Sequence, residues 1–431
     1  MDSIKINLAV DKSRNRVLFA DAGSDLVDVL LSFLTLPLSA IQFCVAPSPG
    51  CLSNLCDSVR RLAGGKLLKV DACHGMLLTP STAHEFGGRL RYNLCFAHDA
   101  SVKSQPNLKV NGNLCSCWKV MDRLARAYSG ASSSPGKFVR CKERFVISDD
   151  WTITPACTSL IHRFSSESEA AFPGFEEVEV CVSWPKASLS SDTIFTDVFL
   201  PMGTGGQDAR ATMKPSINQK IAVTLYEDPG TSSEFKTKFF YDAKEKKVMY
   251  AECKHDFVDL LLGFLAYPLG CVIKNMNDSG LASPLGTGGM ANLYASVVEL
   301  DAAGFIAGGY PAETLLNPPL SPFCRHPDCS APKKDAVEPK NFMGLVSHSS
   351  CVGCCYDLVE DRKYVVDDDL LVHQASAMSV TKHWRGRDKA NVVEMDIDIT
   401  KQEAVVLLRA MLTSKTPLTD VFIGRLEEHS T

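Results

Sequence analysis

The chain opens on an alternation: Ile4, Ile6, Leu8 and Val10 are separated by Lys5, Asn7 and Ala9. A period of two predicts a β-strand with one face buried. The turn residues DKSRN follow, and Arg16 to Ala20 gives a second short apolar run, completing a β-hairpin. The period then changes. Leu26, Val27, Leu30, Leu31 and Leu34 recur at helical spacing, which predicts a helix with Asp25 as N-cap and Asp28 complementing the first-turn dipole. Pro37 should stop that helix, because proline disfavours helical backbone at the residue before it.

The same design returns 231 residues later. RVLFADAGSDLVDVLLSFLTLPLS, from Arg16 to Ser39, aligns with KVMYAECKHDFVDLLLGFLAYPLG, from Lys247 to Gly270, and eleven of the 24 positions are identical. Three further blocks recur in the same order. CLSNLCDSVRRL at Cys51 matches GMANLYASVVEL at Gly289, each with leucine and valine spaced for one face of a short helix. RFVISDDWTITPA at Arg144 matches KYVVDDDLLVHQA at Lys363, a strand, an acidic turn and another strand. FTDVFL at Phe195 matches LTDVFI at Leu418. Four blocks in one order predict duplication of a whole unit.

The expected fold is therefore α+β, in two tandem homologous domains of residues 1–200 and 221–431, each with a hairpin-plus-helix core, a cysteine-pair loop and a C-terminal α/β block. Residues 201–220 are rich in glycine, proline and small polar residues and read as the linker. A hairpin running straight into a helix is compatible with a β-grasp-like subdomain. In the second copy Thr400 and Glu403 form a capping box before a helix over Val405, Leu408, Met411 and Leu412, whereas VCVSWPKASL with Pro185 stands there in the first, so that helix is expected to be shortened or lost.

Composition narrows the class. Hydrophobic residues at 45% and charged residues at 22% can build real cores, and a net charge of −5 offers no strong electrostatic case for nucleic acid. Val29 to Ala46 lacks formal charge over 18 residues, but Pro37 interrupts it, so a buried helix is the better reading than a membrane span. The amino-terminal MDSIKINLAV does not read as a secretory signal. The expected location is cytoplasmic, with the nucleus as the alternative. In a reducing compartment, seventeen cysteines point to buried thiols or metal ligands rather than disulfides.

The cysteine spacing supplies the candidate chemistry. Cys324-x4-Cys329 and Cys351-x2-Cys354, with Cys355 adjacent, have the arrangement of a structural zinc site in which four thiolates complete a tetrahedron. His326 or His348 is an alternative ligand, and unligated thiols in a loop are the competing reading. The first copy carries a less regular set at the corresponding place, Cys95, His98, Cys115 and Cys117. Four protein ligands leave no open coordination position, so zinc in either place is structural rather than catalytic.

The order hairpin, D-x-V-D-x-L-x-x-F-L-x-x-P-L, N-L-x-x-S-V-x-x-L, LLNP at Leu315 to Pro318, paired cysteines, V-x-D-D and T-D-V-F resembles the plant family named domain of unknown function 674. The resemblance covers nearly the whole chain. It implies a shared role for Cys324, Cys329, Cys351 and Cys354, and it brings no established activity or catalytic residues.

No catalytic constellation emerges. GTGG at Gly203 and again at Gly286 is not followed by the Lys-Ser/Thr of a phosphate loop, and the ten histidines show no H-E-x-x-H spacing. The expected function is a non-enzymatic interaction or scaffold protein, stabilised by zinc and bound to a protein partner. An enzyme of unidentified class is one alternative, and nucleic-acid binding is the other. Lys382, His383, Trp384, Arg385, Arg387 and Lys389 form a small basic run for the latter, read here mainly as a solvated loop face.

Overall fold

The computed structural model describes residues 4–44, 50–68, 77–78, 93–94, 123–124, 138–140, 142–158, 176–182, 193–200, 235–278, 289–307, 312–318, 358 and 362–428. The hairpin expected at the amino end is β1 (Ile4–Asp11) and β2 (Arg16–Gly23). Asp11 shapes its turn: Oδ1 accepts from the Ser13 and Arg14 amides, and Asn15 takes the left-handed backbone that closes the loop (φ 47°). After α1 (Ser24–Ser32), α2 (Leu38–Cys44) and α3 (Leu52–Gly64) come β3 (Arg144–Ser148), β4 (Ile153–Pro155), β5 (Glu176–Val182) and α4 (Ile194–Phe199). The strands form one sheet in the order β4-β3-β2-β1-β5.

The C-terminal half follows the same plan. A hairpin of β6 (Phe235–Asp242) and β7 (Lys247–Cys253) leads into α5 (His255–Ala266), α6 (Leu269–Asp278), α7 (Gly289–Ala302) and α8 (Glu313–Leu316). Then follow β8 (Tyr364–Asp367), β9 (Val372–Gln374), α9 (Ala377–Trp384), β10 (Val392–Ile399), α10 (Lys401–Thr413) and α11 (Pro417–Glu428). The sheet order is β9-β8-β7-β6-β10, and a register irregularity falls at Phe240/Tyr241 as it does at Ala9/Val10 in the first hairpin. Mixed α+β architecture is thus established. Every pairing in the two five-stranded sheets is antiparallel, which departs from the β-grasp expectation of a parallel pairing between the first and last strands.

Helix starts depart in detail from the sequence expectation. Gly23 and Lys254 occupy the N-cap positions, while Asp25 and Asp256 sit inside the first turn and accept from the next residue's amide. Asp28 does not lie at a solvated helix end. It is buried, and its Oδ1 accepts from the Phe138 and Val139 amides at 2.7 and 3.0 Å, tying a distant segment to α1. Helical period alone could not reveal a partner more than a hundred residues away. In the stretch VCVSWPKASL, Val180 to Val182 finish strand β5 rather than replace a helix, and the remaining residues lie outside the described ones. The proline stops hold: α1 gives way to a short 3-10 turn before Pro37, and α5 ends at Ala266 before Pro268. Among the described residues no helix is long and apolar enough to cross a membrane.

What the pattern did not disclose is the destination of two helices. α3, from the N-terminal half, packs on β9 and α5 of the C-terminal half, and α7 packs reciprocally on β4 and α1. The prolines mark the crossing. Leu38 N donates to Tyr267 O (3.0 Å) and Leu269 N to Leu36 O (2.9 Å), so Pro37 and Pro268 face each other. Backbones approach closely enough there that a Cβ on Gly270 would lie 3.2 Å from Leu34 O and 2.5 Å from Leu315 O. A second close approach occurs at Gly50, whose φ is +48° and whose hypothetical Cβ would meet Met411 O at 2.1 Å. One continuous hydrophobic cluster runs from Ile6 to Leu426 and includes residues of both sheets and both exchanged helices.

Candidate functional site

The acidic turns between β3 and β4 and between β8 and β9 are where the chain's recurring polar residues converge. Asp149 and Asp368 are both buried. Asp149 accepts from the Thr196 amide (2.8 Å) and hydroxyl (2.6 Å), and Asp368 accepts from the Thr419 amide and hydroxyl at 2.8 Å each. Each threonine oxygen in turn accepts from a strand amide, Val17 N or Val248 N. The recurring D-D and T-D-V-F blocks are therefore two sides of one interior contact joining sheet to helix. Burial pushes both carboxyls up, Asp368 to about 6, against the opposing hydrogen bonds from threonine.

The same turns receive the exchanged helices. Trp151 and Leu370 adopt left-handed backbone (φ 66° and 62°), unusual for side chains of this size, and both side chains are buried. This bend presents the preceding carbonyls outward. Asn292 Nδ2 donates to Asp150 O (2.8 Å) and Asn54 Nδ2 to Asp369 O (3.0 Å). Ser296 Oγ accepts from Ile153 N at 2.9 Å, and Ser58 Oγ accepts from Val372 N at 2.8 Å. An Asn-x3-Ser hook on each helix thus seats it in the other half.

One position earlier, the halves differ. Ser148 stands in the first sheet where Asp367 stands in the second. Asp367 is buried beneath α9 and gathers three donors: His373 Nε2 at 3.1 Å, His383 Nε2 at 2.8 Å, and the Lys382 ammonium. Burial alone would raise this carboxyl, but the bonds from His373, His383 and Lys382 outweigh it and hold the group well below the ordinary aspartate range. Trp384 Nε1 donates to the Tyr250 hydroxyl (3.1 Å), and Tyr250 stacks on Phe240. Arg387 pairs with buried Asp242. Since α9 has no buried residue of its own, these polar bonds, with Val380 and Trp384 resting on the sheet, are what fasten it.

Chemically, the cluster orients two imidazoles through one carboxylate and neutralises that carboxylate with an ammonium. Asp367 already has its cation, and among the described residues no group of three or more His, Cys, Asp or Glu side chains is arranged to hold a metal. The basic run is only in part a solvated loop face. Lys382, His383 and Trp384 belong to the docked end of α9, and Arg387 is paired on the sheet, while Arg385 and Lys389 remain exposed. Sequence reasoning missed Asp367 with His373 and His383, because hydrogen bonding across a turn leaves no fixed spacing. It had half the signal for the Asp–Thr pairs, since both blocks recur.

The cysteine candidates lie outside the described residues: Cys324, Cys329, Cys351 and Cys354, as well as Cys95, His98, Cys115 and Cys117. Of the described thiols, Cys51 and Cys271 are pushed up to about 12 by burial and Cys253 well above its usual value, the environment of inert core cysteines rather than of nucleophiles. Of the two GTGG segments, Gly289 alone falls in the described part. It opens α7, packed against Trp151 and Ile194. The family model for a protein of unknown function, DUF674, matches residues 1–357 and 356–431. The chain belongs to the DUF674 family. No curated protein and no solved structure matches this DUF674 chain.

Proposed function

We propose that this DUF674 protein is a non-enzymatic interaction scaffold, built by duplication of one unit, whose Cys324, Cys329, Cys351 and Cys354 hold a structural zinc. One observation supports the scaffold reading: the polar side chains shared by both halves are occupied in the interior. Asp149 with Thr196, Asp368 with Thr419, and the hooks Ser58 and Ser296 all join sheet to helix. A reaction common to both halves would need such groups at an accessible surface. The zinc part rests on spacing alone, and the set Cys95, His98, Cys115 and Cys117 is the weaker counterpart.

Elemental analysis tests the metal. Purified protein should carry about one zinc per chain, lost in a Cys351→Ser, Cys354→Ser variant; zinc absent from both, or equal in both, ends the assignment. The scaffold reading is tested by affinity capture from the native tissue with wild type and with that variant, matched for thermal stability. A reproducible partner is expected, and robust turnover in a broad hydrolase and transferase screen would count against it.

A further inference from the structure

We propose that a second copy of this chain is a partner for the surfaces that the two halves present to each other, giving a dimer by exchange of whole halves. Among the described residues, the contacts between the halves each join one N-terminal and one C-terminal unit. They comprise the Asn54 and Ser58 hook on the β8–β9 turn, the Asn292 and Ser296 hook on the β3–β4 turn, and the paired backbones at Pro37 and Pro268. Further backbone bonds extend the seam: Arg140 N to Phe305 O (2.9 Å), Ala307 N to Phe138 O (2.8 Å) and Cys51 N to Met411 O (2.7 Å). None of these requires both units to lie on one chain. The covalent tie between Leu200, just after α4, and Phe235 at the start of β6 passes through 201–234. That tie is what favours pairing within a chain, through an effective concentration on the order of millimolar.

A dimer in which each N-terminal unit takes the C-terminal unit of the other chain keeps the whole seam and loses only that tether advantage. Its two composite units are closed, with no unpaired surface to propagate a fibre. Because the seam is held by backbone bonds and by the buried Ser58 and Ser296 hooks on the edge strands β9 and β4, conversion requires it to open, so the two forms should not interconvert on simple mixing. Exchange is therefore set during folding, by the protein concentration at that moment.

The test uses the full chain in tagged and untagged versions, unfolded in urea with reductant, mixed, and refolded over a concentration series. Co-capture is expected to rise with refolding concentration from about 1 µM to about 100 µM. The captured species should have twice the 47.0 kDa chain mass and keep the Ile153 and Val372 amides as protected as in the monomer. Native mixing should give no co-capture. Complementation adds a second readout: Leu55→Asp chains refolded with Leu293→Asp chains should recover protection that neither recovers alone, since one of the two composite units is then wholly wild type. A chain that stays monomeric throughout, a dimer that forms on native mixing, or mutants that never rescue each other would each overturn the proposal.

Discussion

The two sheets have matching interiors and different exteriors. On the inner side, Asp149 and Asp368 bond Thr196 and Thr419 in the same way, and Ser296 and Ser58 seat the exchanged helices in the same way. On the outer side, the second sheet has Tyr250, Asp367 and His373 where the first has Phe19, Ser148 and Thr154. Only the second set can gather Lys382 and His383 and fasten α9. The comparison separates two kinds of polar residue. One kind keeps two units interlocked, so it must be present twice. The other belongs to a single face, and a distinct role for the C-terminal half would begin there.

The heaviest blow to the shared interior is a charge in an exchanged helix. Leu293 is fully buried in α7. Leu293→Asp should cost on the order of 4 kcal/mol or more and collapse both halves in one transition, as read by urea unfolding with probes in each sheet. Two separated transitions would mean that the halves are energetically independent. Next come the Asp–Thr contacts. Thr196→Val and Thr419→Val each leave a strand amide and a buried carboxyl short of a partner, so each should cost roughly 2 kcal/mol, and by similar amounts. A large inequality would break the equivalence of the interiors.

The exterior should respond on one side only. Asp367→Asn is expected to cost about 2 kcal/mol and to raise hydrogen exchange across 377–391, whereas Ser148→Ala should do neither. pH distinguishes the adjacent aspartates by sign. Asp368 has its folded value raised to about 6, so its contribution is fully present below about pH 4 and is lost as pH rises to 6, an effect of roughly 3 kcal/mol. Asp368→Asn should remove that decline in urea melts. Asp367, held low, contributes above about pH 4 and loses its contribution only as pH falls further. The smallest expected effect is on nucleic acid. With Lys382 and Arg387 already paired to aspartates, wild type and an Arg385→Ala, Arg387→Ala variant should both pass unretained through a polynucleotide column at about 0.15 M salt.

Much of this was legible in the sequence because it is local. Alternation at Ile4 to Val10, the helical spacing after Asp25, the capping box at Thr400 and the two prolines each report on their own neighbourhood. Leu55, Val59 and Leu62 were readable as a buried face, yet nothing in their period says which sheet receives it, and the receiving strand β9 lies some three hundred residues later. Asp28 misled for the same reason, because its charge suggested a dipole contact while its partners are the amides of Phe138 and Val139. Recurring blocks compound the ambiguity, since a helix fits its own sheet's pattern as well as the other's.

The most direct test of the interlock is hydrogen exchange on a Ser296→Ala variant. Ser296 belongs to the C-terminal half of the sequence, and its hydroxyl accepts from Ile153 N in the N-terminal sheet. The expected result is lost protection at Ile153, with Val372, the corresponding amide of its own half, unchanged. Protection lost at Val372 and kept at Ile153 would show that each helix serves its own sheet and would contradict the exchange.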